Sequence, residues 1–199
     1  GSMVQRWWSP RTEQWEYSTR YQLPQDIAVN CPGDFGVTWL QLINKCMSTL
    51  PDFDQPKDKT YTFEVMSPYN KIVVVHKTFS AKLICIRDIV TLQESDVGPT
   101  GMGPKVFAFT NAEDMMEFAR TLKGTECEGF VSVDANFRRR KDKGDNYVYL
   151  HRLKDRLNSM KNVLLLARSN DSEEVLVHFP EYVEQVLAFE TIIKEFVAR

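Results

Sequence analysis

The stretch that most constrains this chain is Glu126–His151. There a carboxylate, Glu128, opens a strand-like run, and five of the six residues Arg138–Lys143 are basic. Glu128-Gly129-Phe130-Val131-Ser132-Val133 reads as one strand, Asp134-Ala135-Asn136 as a loop, and the basic run from Phe137 as a neighbouring strand. Side chains two apart on a strand share a face, so Lys141 and Lys143 are expected to point the same way. Adjacent ammonium groups repel unless an anion lies between them, and a phosphate chain is the usual one. A nearby carboxylate is placed to hold a divalent metal on that phosphate. On charge alone, the same stretch is a solvated hairpin with a charged edge.

The remaining composition narrows the class. The chain has 199 residues, of which 43% are hydrophobic and 26% charged, enough for a sizeable core without staples. With a net charge of −2 there is no global field to recruit nucleic acid, so such binding needs a local patch, and Arg138–Lys143 is that patch. The four cysteines, Cys31, Cys46, Cys85 and Cys127, show no C-x-x-C spacing and read as reduced thiols of an intracellular protein, cytoplasmic or nuclear. No apolar run approaches a membrane span, and no membrane partner is expected. Gly1-Ser2 ahead of Met3 has the look of a cloning scar, which puts the expected native start at Met3 or Val4.

Taken in order, Trp7–Arg20 reads as a hairpin around Pro10, and Gln22–Gly36 as a loop. Val37, Leu40, Ile43, Met47 and Leu50 recur at helical spacing. Thr60–Met66, Lys71–His76 and Lys82–Val90 are β-rich runs, the first two around the turn Ser67–Asn70. Glu64 lies within the first. It either points out of a half-exposed sheet or faces a cleft and accepts from a ligand. Asn111 is placed to cap a helix running to about Lys123, with Glu113 and Asp114 in its first turn. The chain from Leu150 onward reads as mostly helical, ending on an amphipathic helix from Pro180 to Arg199.

These pieces resemble, in family order, the ATP-dependent RNA ligases of the tailed-phage tRNA-repair type, members of the covalent nucleotidyltransferases. Phe63-Glu64-Val65-Met66-Ser67-Pro68-Tyr69-Asn70-Lys71-Ile72-Val73 is similar to the family's F-E-hydrophobic-x-[SA]-P-x-N-[RK]-I-V segment. Leu83–Asp88 resembles the strand beneath the adenine, and Glu128-Gly129-Phe130-Val131 the segment whose glutamate serves the metal. Lys141-x-Lys143, with Tyr147 and His151, looks like the K-x-K-S-x-x-Y-x-x-L-H ending, with Gly144 where serine is common. Ser18-Thr19-Arg20 resembles the [ST]-[RK] segment.

The resemblance implies an α+β fold of antiparallel sheets with flanking helices. It covers a nucleotidyltransferase domain at residues 1–157, followed by a helical extension at 158–199. It implies ATP and Mg²⁺ as cofactors and RNA ends as partners. Glu128, Lys141 and Lys143 take catalytic roles, and Glu128 is the metal ligand. Arg20, Glu64, Ile84 and Ile86, with the same two lysines, contact nucleotide, and Arg138, Arg139 and Arg140 contact RNA.

In that family a lysine attacks the α-phosphate of ATP, AMP passes to an RNA 5′-phosphate, and a 3′-hydroxyl displaces it. The dispersed negative charge of such steps is handled by positioning and cations. The nucleophile's K-x-D-G-[ST] motif occurs nowhere in the 199 residues. The chain is therefore expected to be the distal part of a ligase, to receive that segment from a second polypeptide or cover its edge by self-association, or to be a non-catalytic relative. The non-catalytic alternatives are a nucleotide- or RNA-binding module and a protein-interaction module built around Trp7 and Trp8.

Overall fold

The computed structural model describes residues 1–21, 23, 27–29, 36–95, 97, 101–169 and 171–198. They form a mixed α+β protein with two compact units. One comprises residues 1–71 and 75–108, the other 72–74 and 109–199. Cys31 and part of the expected Gln22–Gly36 loop lie outside the described residues.

The first unit is built on an antiparallel sheet of five strands: β1 (Ser2–Ser9), β2 (Gln14–Thr19), β3 (Lys59–Met66), β4 (Ser80–Asp88) and the short β5 (Glu94–Ser95), in the order β2-β1-β3-β4-β5. Tyr61, Phe63 and Val65 alternate along β3, and all three are buried, so one face of the sheet is core. Full burial of such side chains stabilises by roughly 1.5–3 kcal/mol each. Helix α1 (Trp39–Met47) covers part of that face, packing Leu42, Ile43 and Cys46 with Val4, Val65 and Ala81. Its start is a capping box: Gln41 N–H donates to Thr38 Oγ1 at 3.2 Å, and Thr38 N–H donates to Gln41 Oε1 at 2.9 Å. The expected hairpin around Pro10 is β1–β2, with Trp8 opposite Trp15.

The turn after β3 explains its own residue types. Pro68–Asn70 is a single 3-10 turn capped by Ser67. Asn70 Oδ1 accepts from Ser67 N–H and Ser67 Oγ, both at 2.8 Å, while its Nδ2 donates to the Val65 carbonyl at 2.9 Å and to Ser2 Oγ at 3.1 Å. Ser2, read above as part of a scar, thus hydrogen-bonds to the turn. Ser2 opens β1 opposite Val65.

The strand expected at Lys71–His76 does not form. Residues 71–76 make no ladder, and 72–74 belong to the second unit, where Val73 is buried in the helical core. Only Val73 of this β-branched run is buried, Ile72 and Val75 being exposed, and propensity cannot tell such a segment from a paired strand.

The second unit carries a two-stranded sheet, β6 (Gly129–Val133) with β7 (Arg139–Lys143), and helices α2 (Ala112–Thr121), α3 (Asp145–Asp155), α4 (Met160–Ser169), α5 (Ser172–His178) and α6 (Val183–Val197). Asn111 caps α2 as expected, its Oδ1 accepting from Asp114 N–H at 2.9 Å. Helix α3 starts at Asp145, five residues before the helical pattern read from Leu150. Helices on both sides of residue 158 share one core, with Tyr147, Leu153, Val163, Leu166, Val175 and Phe179 in a single buried cluster.

Candidate functional site

The hairpin β6–β7 pairs Gly129 with Lys143, Val131 with Lys141 and Val133 with Arg139. One of its faces is anchored: Phe130 is buried with Met115 and Ala119 of α2 and meets the Phe109 ring edge-on at 5.2 Å. The other face carries Lys141 and Lys143, as the spacing of two requires. Glu128 stands just before the strand, where strict alternation would turn it away from Lys143. The backbone at Gly129, with φ of 141°, breaks that alternation.

Glu128 therefore meets both lysines. Its Oε1 lies 2.9 Å from Lys141 Nζ and 3.0 Å from Lys143 Nζ. The anion that relieves their repulsion in this structure is a side chain of the chain itself. The Glu128 and Lys143 side chains are 36% and 35% exposed and Lys141 is 52% exposed, so the cluster is half-buried and open to water. Burial pushes the Glu128 carboxyl up, but the hydrogen bonds and charges of Lys141 and Lys143 outweigh it and hold it below the ordinary glutamate value. Lys143 also places its ammonium 5.1 Å from the centre of the Tyr147 ring on the first turn of α3.

Gly144, the residue between β7 and α3, donates its N–H to the Glu128 carbonyl at 3.1 Å. A Cβ there would fall 2.9 Å from the carbonyl oxygen of Ala119 in α2, closer than a side chain ordinarily comes.

The arginines sit at the tip of the same hairpin. Arg138, Arg139 and Arg140 line a shallow recess of about 310 Å³ together with Ser132, Val133 and Asp134. Arg140 is committed to Asp142, Nη2 to Oδ1 at 3.0 Å, and Arg139 Nη1 donates to the Phe137 carbonyl at 3.1 Å. Asp134 holds the loop by accepting from Asn136 N–H and Arg138 N–H at 2.8 and 2.9 Å.

The other expected contacts lie in the first unit. Glu64 is on the face of β3 opposite Tyr61 and Phe63, between Met3 of β1 and Lys82 of β4, and its side chain is 38% exposed. Ile86 lies opposite Tyr61 and packs in the core with Phe63 and Leu83, so it is on the other face from Glu64. Ile84 is the extra residue of a bulge where Thr62 pairs with Cys85 and Phe63 with Leu83. Arg20 follows β2 and lays its guanidinium over the Tyr21 ring at 5.4 Å.

Among the described residues no group of three or more His, Cys, Asp or Glu side chains converges as a metal cage. Glu128 offers one hard oxygen donor flanked by cations. That fits Mg²⁺ held jointly by a single carboxylate and a ligand's phosphates, and does not fit a metal held by protein alone. The structural role of Glu128 as counter-ion, and that of Tyr147 beneath Lys143, were not read from the sequence, although both residues fall within the stretch it singled out. Among the described residues no helix is long and apolar enough to cross a membrane. No protein-family model and no curated protein matches the chain.

Proposed function

We propose that the chain is the distal part of an ATP-dependent RNA ligase adenylyltransferase domain. In this reading it joins RNA 5′-phosphate and 3′-hydroxyl ends when a segment carrying the nucleophilic lysine is supplied. The observation that carries the reading is the cluster in which one carboxylate, Glu128, is shared by two lysines of the adjacent strand. In this reading Lys141 and Lys143 bind the phosphates of ATP and take up charge that develops on their oxygens during transfer. Mg²⁺, when bound with the nucleotide, supplies further neutralisation of those oxygens, and Glu128 is the residue that holds it. In the same reading Arg138–Arg140 meet the RNA backbone.

A second reading, a ligase-like module that binds nucleotide or RNA without chemistry, is favoured by the absence of a K-x-D-G lysine from the 199 residues.

Calorimetric titration with ATP in Mg²⁺ tests the proposal. Binding that is lost in the Lys141→Ala/Lys143→Ala variant is the expected result. Absence of binding, or equal binding by the double variant, would refute it.

A further inference from the structure

We infer that the outer edge of β6 is a strand-pairing surface, and that its partner is β6 of a second copy of this chain. The inference stands apart from the phosphate reading of Lys141 and Lys143. Gly144 N–H donates to the Glu128 carbonyl at 3.1 Å, and Asp134 N–H to the Arg138 carbonyl at 3.0 Å. Both bonds continue the β6–β7 register, one at each end of the ladder. Hydrogen-bonded and non-hydrogen-bonded positions alternate along an antiparallel pair. Phe130 and Ser132 therefore spend their backbone groups on β7, while the N–H and carbonyl of Val131 and Val133 point away from it. Among the described residues, no backbone group outside the hairpin meets them. The Val131 and Val133 side chains are 52% and 51% exposed.

This edge has no safeguard. Natural sheet edges are blunted by charge, proline or a bulge. Gly129-Phe130-Val131-Ser132-Val133 has no charged residue and no proline, and it pairs with β7 without a shift of register. On β7 the residues whose backbone groups point outward are Arg139, Lys141 and Lys143, all cationic. Like charges placed opposite each other keep β7 from pairing with its own copy. The hairpin thus has one closed edge and one open edge.

A second copy fits the open edge because the row is self-complementary about a twofold axis. With the axis at Ser132, Val131 of each copy lies opposite Val133 of the other, and each such pair exchanges two main-chain hydrogen bonds. The valines then meet on the lysine side and the two Ser132 side chains on the other. The β7 strands lie outermost, three strand spacings or about 14 Å apart. That exceeds the screening length of about 8 Å at physiological salt, so the two basic rows do not oppose the pairing. The interface is small, so the association is weak and concentration-dependent.

Sedimentation velocity of the whole chain over about a hundredfold range of concentration tests this, together with residue-resolved amide exchange. The wild type is expected to pass from monomer to dimer as concentration rises. Exchange of the Val131 and Val133 amides should slow about tenfold on the way, while Phe130 and Ser132 stay protected throughout. Val131→Pro removes an outward donor and no bond to β7, and Val133→Glu puts a charge between the paired strands. Each should weaken the dimer about tenfold, with protection retained at Ser132 to show that the hairpin persists. A chain that stays monomeric at every concentration overturns the inference. So does a dimer whose Val131 and Val133 amides exchange as in the monomer, or one that both variants leave unchanged. Val131 and Val133 amides already protected in the monomer would show that another segment holds the edge, and would refute it equally.

Discussion

A Cβ placed on Gly129 would fall 2.2 Å from the carbonyl oxygen of Asp142 on the neighbouring strand. The residue also holds φ at 141°, a conformation that side chains with a Cβ rarely adopt. The glycine after Glu128 is thus required twice, by space and by backbone, and it is what brings Glu128 to Lys141 and Lys143.

Gly129→Ala is therefore expected to destabilise the second unit by about 2 kcal/mol and to separate Glu128 from the lysines. Urea unfolding followed by tryptophan fluorescence would miss the change, because all four tryptophans lie before residue 40. Amide hydrogen exchange of β6 and β7 reports it directly. Unchanged protection in the variant would contradict the account.

Asn70 is 7% exposed, and its amide serves Ser67, Val65 and Ser2 together. Replacing it by alanine strands several buried groups at once. Asn70→Ala should lower stability by about 2–3 kcal/mol. The midpoint of thermal unfolding measures this, and a variant as stable as the wild type would show that the turn does not depend on that network.

Asp88 and Lys59 give the first unit a pH signature. Asp88 accepts from Lys59 Nζ at 2.5 Å and from the N–H groups of Val90 and Thr91 at 2.8 and 2.7 Å. The Lys59 hydrogen bond, followed by those N–H groups, holds the Asp88 carboxyl far below its ordinary value, and the same bond raises Lys59. A depressed carboxyl contributes its stability fully above the unfolded value of about 4 and loses it as pH falls toward the folded value. The raised lysine contributes below about 10.4 and loses its share above that. Asp88→Asn should therefore lower the melting temperature at pH 7, and the gap to the wild type should narrow as pH drops below about 4. A gap that stays constant from neutral to acid pH would contradict the pairing.

The sequence made the hairpin legible because its signal is local. Alternation, the turn at Asp134–Asn136 and the two-residue spacing of the lysines all lie within one short stretch. Helix α1 was legible from its periodicity and α2 from its Asn111 cap and acidic first turn, whereas the Thr38 cap of α1 was not read. The Lys71–His76 run misled because Ile72-Val73-Val74-Val75 has strand composition, while Val73 is recruited by a helical core whose other members lie more than seventy residues downstream. The placement of Ile86 in the core, opposite Glu64, depends on the bulge at Ile84, a register shift no composition reveals. Helix α5 is short, at seven residues, and was not read as a separate element.

The chain alone should not label itself. Lacking any K-x-D-G lysine, it is expected to form no covalent AMP adduct when incubated with ATP and Mg²⁺. A radiolabelled band at 23.1 kDa that survives denaturation would overturn this and would point to a different nucleophile.

The most direct test of the central claim is the phosphorus-31 spectrum of ATP with Mg²⁺ as the chain is added. It reads each phosphate separately at the groups assigned to Lys141 and Lys143. The account predicts shifted and broadened phosphate resonances with the wild type and free-nucleotide resonances with Lys141→Ala/Lys143→Ala. Phosphate resonances that stay unchanged with the wild type, or shift equally with the double variant, would contradict it.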